Sequence, residues 1–139
     1  MTKFKRIVSM FLAVVLVVGL VNLPAKAAEN EVILSISTAS GTVNDATTLV
    51  LDATGISGGH NFSEPSAADE GIFYNGQKVT KGWPILSYGG EFFWLALSDY
   101  GIGNVKSGDK LKFVGNFVSH DGTYSFKEET FVFNGSVWD

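Results

Sequence analysis

Gly55-Ile56-Ser57-Gly58-Gly59 spells G-x-S-x-G, the pattern that holds a nucleophilic serine on a sharp turn in a hydrolase. An apolar strand, Leu49 to Asp52, precedes it and His60 follows at once. The chemistry also needs a helix after the turn, so that the serine stands over an oxyanion hole. Here His60-Asn61-Phe62-Ser63-Glu64-Pro65 has no helical periodicity and reads as a loop. The expectation is a glycine-rich connection with exposed backbone amides, and no catalytic residue.

His60 and His120 are the only histidines. A metal site or a catalytic triad built on them needs both to converge with acids such as Glu64, Asp69 or Asp121. Their spacing matches no zinc pattern, and His120-Asp121-Gly122 reads as an exposed turn, so no metal or cofactor is expected. Glu128-Glu129 is the densest acidic pair for glycoside hydrolysis, but neighbours on a regular strand point to opposite faces unless a bend intervenes. Asp99 and Asp109 carry oxygens of the kind calcium takes, without the spacing of a calcium loop. Solvated turn acids are the expectation for all of them.

Glu91-Phe92-Phe93-Trp94-Leu95-Ala96-Leu97-Ser98 is the more informative segment. A half-buried strand is apolar on one face only. Phe93, Leu95 and Leu97 supply that face, yet Phe92, Trp94 and Ala96 supply a second, with Trp83, Tyr88 and Tyr100 in the flanking loops. A loop, a partner protein or a ligand must meet the second face. Sugars suit such a surface, because their C–H faces lie on aromatic rings while neighbouring polar groups take the hydroxyls. Trp94, Phe92, Tyr88, Trp83 and Tyr100 are therefore the expected ligand-binding residues.

The elements that position these residues are strands. After residue 28 the apolar residues alternate with period two, as in Val32, Leu34 and Ile36, and no helical stripe is sustained. Further strands are expected at Leu49–Leu51, Ile72–Asn75, Gln77–Thr80 and Phe92–Leu97, and along Leu111, Phe113 and Phe117. Asn75-Gly76 marks a tight hairpin. A last hairpin is expected to join Tyr124–Phe126 to Phe131–Phe133, with Asn134-Gly135 a second such pair. About seven short strands in this length describe an all-β, antiparallel, immunoglobulin-like β-sandwich, with a small closed barrel as the alternative.

Residues 1–28 read as a secretory signal peptide: Lys3, Lys5 and Arg6, then the apolar run Ile7–Val21, then Ala25-Lys26-Ala27 as a cleavage pattern. The run is shorter than the roughly 20 residues a membrane-spanning helix needs. Cleavage after Ala27 or Ala28 would release a single domain, residues 29–139. That domain has six Lys, no Arg and 14 acidic residues, a formal charge of −8. Such a surface disfavours nucleic acid and anionic membranes. The absence of cysteine excludes disulfides and thiolate chemistry, leaving stability to nine Phe, four Tyr and three Trp. Export without disulfides fits a bacterial source. Together these features point to a secreted, non-enzymatic binding module whose partner is a glycan or another extracellular protein. A protein-interaction or inhibitor domain is the alternative, ahead of a small hydrolase using Ser57.

Overall fold

The computed structural model describes residues 31–39 and 41–139, and the leader expected at residues 1–28 lies outside them. The strands are β1 (Glu31–Ile36), β2 (Thr48–Thr54), β3 (Gly59–Phe62), β4 (Gly71–Tyr74), β5 (Gln77–Lys78), β6 (Leu86–Gly89), β7 (Phe93–Ala96), β8 (Lys110–Ser119) and β9 (Gly122–Val132). A four-residue 3-10 turn, Leu97–Tyr100, is the only helical element among the described residues.

The chain is β-rich, as its alternation requires, but the arrangement differs from about seven antiparallel strands. Nine strands form one mixed sheet in the order β3-β6-β7-β2-β1-β9-β8-β4-β5. β1 explains the mixture. Its start pairs parallel with β9, Glu31 opposite Ser125, and its remainder pairs antiparallel with β2, Ile36 opposite Leu51. Alternation reports which face a side chain takes, not the direction of the neighbouring strand, so a parallel pair leaves no mark in it. Two strands arise where loops were expected. In β3, His60 and Phe62 point inward and Gly59 and Asn61 outward; in β6, Leu86 and Tyr88 point inward and Ser87 and Gly89 outward.

The sheet curls until Ser63, just past β3, donates its backbone N–H to the Val118 carbonyl of β8 at 2.9 Å. This seam encloses an aromatic core. Phe126 of β9 meets Phe117 of β8 at 4.5 Å, Phe62 of β3 at 5.4 Å and Phe93 of β7 at 5.9 Å between ring centroids. Rings from both halves of the sheet thus share one interior, each contributing on the order of 2 kcal/mol by leaving water.

Asn75 and Gly76 both have positive φ, 49° and 83°, and turn β4 into β5 as a two-residue hairpin. The other Asn-Gly pair does different work. Asn134 accepts the N–H groups of Ser136 and Val137 on Oδ1, folding the C-terminus so that Trp138 packs against Phe133 in the core. The expected last hairpin does not form. Tyr124 to Val132 is one continuous strand, and the chain reverses at His120-Asp121 instead, between β8 and β9. Glu128 and Glu129 lie within that strand where its register against β8 shifts, Glu129 opposite Phe113 and Phe126 opposite Gly115, so the strand is irregular at this pair.

Candidate functional site

β7 has the two apolar faces its sequence implies. Phe93 and Leu95 are buried in the core, whereas Trp94 is 52% exposed and Phe92 half-buried beside it, ring centroids 6.1 Å apart. Among the described residues, no loop covers Trp94. Trp83, 71% exposed, stands in the connection that leads into β6, after which Pro84 follows through a cis peptide bond.

Trp83, Trp94 and Tyr100 line one open depression of about 350 Å³ with Lys81, Ser87 and Asp99. Three elements build it: the approach to β6, β7 itself and the 3-10 turn behind β7. Tyr100 is fixed there by its hydroxyl, which donates to the Ile85 carbonyl at 2.8 Å. Burial, aided by the Asp99 charge, pushes its phenol up to about 12, so the hydroxyl remains a donor at neutral pH. The depression therefore offers two indole faces beside an ammonium, a hydroxyl and a carboxylate. Apolar rings flanked by a few polar groups can hold a ligand that is itself apolar on one face and polar at its edge.

Tyr88 does not belong to this surface. It is 5% exposed and packs on Phe93, centroids 4.8 Å apart, because β6 is a strand whose even positions face inward. Trp138 is also interior, at 1%. Of the five residues expected to bind ligand, Trp83, Trp94 and Tyr100 converge, Phe92 flanks them and Tyr88 lies in the core. Sequence analysis missed Lys81 and Ser87. The Leu86-Ser87-Tyr88 alternation was the signal for the second, since it sends Ser87 out as Tyr88 goes in.

A second group of polar residues gathers at the seam. His60, 5% exposed on β3, places Nδ1 2.9 Å from Ser119 Oγ and Nε2 2.9 Å from the Ser57 carbonyl. His120 stacks on it, centroids 5.0 Å apart, with Nδ1 3.3 Å from the same Ser119 Oγ. Asp121 Oδ1 is 3.5 Å from His60 Nδ1, and its Oδ2 accepts the Tyr124 hydroxyl at 2.8 Å. That hydroxyl, with weaker help from His60 and His120, holds the Asp121 carboxyl below the usual range. The two histidines and Asp121 thus converge as a His-based site requires, while Glu64 pairs with Lys78 at 3.6 Å. His60, Ser119 and His120 border a depression of about 490 Å³ that Trp83 and Tyr88 also line.

The G-x-S-x-G segment connects β2 to β3. A strand follows it, not a helix, and Ser57 meets His60 through its carbonyl oxygen. Asp109 and Asp45 each hold backbone N–H groups of nearby turns on their side-chain oxygens. No protein-family model matches the chain, no curated protein matches its sequence and no solved structure matches its fold.

Proposed function

We propose that this protein is an exported, non-enzymatic binding module that takes a glycan on the Trp83–Trp94 surface. The observation that carries the reading is the pair of indoles, both more than half exposed, lining one depression with Tyr100 and three polar side chains. Leaving two such rings in water gains nothing for folding, whereas stacking on a sugar ring uses them. Lys81, Ser87 and Asp99 would take the hydroxyls. The fold reading belongs with this proposal: we infer an immunoglobulin-like sandwich, and the pairing of β1 with both β2 and β9 supports it. The leader reading does too, with export removing residues up to Ala27 or Ala28.

A glycan array probed with the exported protein, its N-terminus read by mass spectrometry, tests the proposal. Binding should be lost in Trp83→Ala and Trp94→Ala, each of which should change unfolding stability by no more than about 1 kcal/mol. Tyr88→Ala, by contrast, should cost roughly 3–5 kcal/mol by leaving a cavity. A blank array, or Trp94→Ala as destabilising as Tyr88→Ala, sinks the glycan reading.

A further inference from the structure

We propose that His60, His120 and Asp121 bind a divalent cation of the zinc class at the seam between β3 and the β8–β9 turn. The donor atoms of the three side chains lie within 4.8 Å of one another. A backbone carbonyl only accepts, so the Ser57 oxygen requires the ring proton of His60 on Nε2. With the ring proton on Nε2, the lone pair of Nδ1 faces Ser119 and Asp121. Ser119 Oγ lies within hydrogen-bond distance of both ring nitrogens: it donates its one proton to His60 Nδ1, and it accepts from His120 when that ring carries its proton on Nδ1. Asp121 Oδ1 adds a further acceptor 3.5 Å from Nδ1. Two imidazoles, a hydroxyl and a carboxylate gathered at one point are donors that a cation takes.

Two features favour a metal over a proton on the ring. The first is spacing. Ligand atoms around a tetrahedral ion with bonds near 2.05 Å sit about 3.4 Å apart, and the Nδ1–Oδ1 pair already has that separation. His120, exposed on a two-residue turn, would exchange its stacking on His60 for a place in the set. The second is support from behind. Histidine ligands donate their other N–H to a carbonyl, and ligating carboxylates accept an outer hydrogen bond. Ser57 provides the one for His60 and Tyr124 the other for Asp121. Two imidazole nitrogens and one carboxylate oxygen suit zinc, whereas calcium and magnesium take sets made wholly of oxygen. With three protein ligands, the fourth position goes to Ser119 Oγ or to water on the side of the Trp83-lined depression.

The test is calorimetric titration of Zn²⁺ into untagged, EDTA-stripped protein, with Ca²⁺ as the control and thermal melting alongside. One zinc per chain should bind, and calcium should not. His120→Ala should weaken zinc by about a hundredfold or more, and Tyr124→Phe, which frees Oδ2, by about tenfold. Zinc should raise the melting temperature of the parent and leave that of His120→Ala unchanged. His120 and Asp121 are exposed, so their variants fold; far-UV circular dichroism checks this. No zinc binding to the parent overturns the site. Unchanged affinity in both His120→Ala and Asp121→Asn overturns it equally, by locating the ion elsewhere.

Discussion

Gly55 adopts φ 81° and passes so close to β1 that an added Cβ would overlap the Glu31 carbonyl oxygen. Only glycine fits there, because the obstacle is backbone and cannot rotate away. The first glycine of the G-x-S-x-G pattern thus serves a close strand-to-loop crossing and needs no catalytic explanation. Gly55→Ala should cost on the order of 3 kcal/mol, combining left-handed strain with the displaced carbonyl. Urea unfolding of the variant checks this, and a change below about 0.5 kcal/mol would show that the loop simply moves aside. The same scale separates the aromatic residues. Trp94 was legible as outward-facing because it alternates with buried Phe93 and Leu95. Tyr88 was not, because only its place in β6 decides its direction, and Gly89-Gly90 after it imitates a loop.

Asp109 joins two elements. It accepts the Tyr74 hydroxyl from β4, the Asn75 side-chain amide at 3.1 Å and the Lys106 backbone N–H at 2.8 Å. Asn75 returns the link by accepting the Lys110 N–H at 2.9 Å. The Tyr74 bond, first, and the Lys106 bond hold the Asp109 carboxyl below its ordinary value of 3.8. A carboxyl depressed in the folded state stabilises above its unfolded value, and that stability is lost as pH falls through the folded one. The domain should therefore lose stability below about pH 4, and Asp109→Asn should flatten that acid limb. Urea midpoints between neutral and acid pH compare the two; parallel curves would remove Asp109 from the account. The β4–β5 hairpin was legible because Asn75-Gly76 specifies its turn locally. β3 was not, because its inward residues are a histidine and a phenylalanine, and a polar inward residue breaks the apolar alternation. The same histidine anchors the seam cluster, so the element that hid in the sequence is the one that brings this cluster together.

Among the described residues the extent of strand pairing is uneven, and the polar cluster sits at one of its thin points. β8 and β9 pair from Lys110 opposite Val132 to Ser119 opposite Gly122. The seam has the single Ser63–Val118 bridge, with the Trp83 indole donating to Ser63 Oγ at 3.2 Å. Contacts between residues far apart in sequence form this seam, which is why neither periodicity nor spacing announced that His60 would meet His120. Local opening follows the number of hydrogen bonds that must break together. The Ser63 amide should therefore exchange with deuterium well before the amides of Phe113 and Phe117 in the β8–β9 ladder. A cation held by His60 from one side of the seam and by His120 and Asp121 from the other would link the two edges. Saturating zinc should then slow exchange at Ser63 in the parent and not in His120→Ala, because binding to the closed form alone stabilises it. Exchange at Ser63 as slow as in the β8–β9 ladder, with no zinc present, would mean that the aromatic core by itself holds the curl closed.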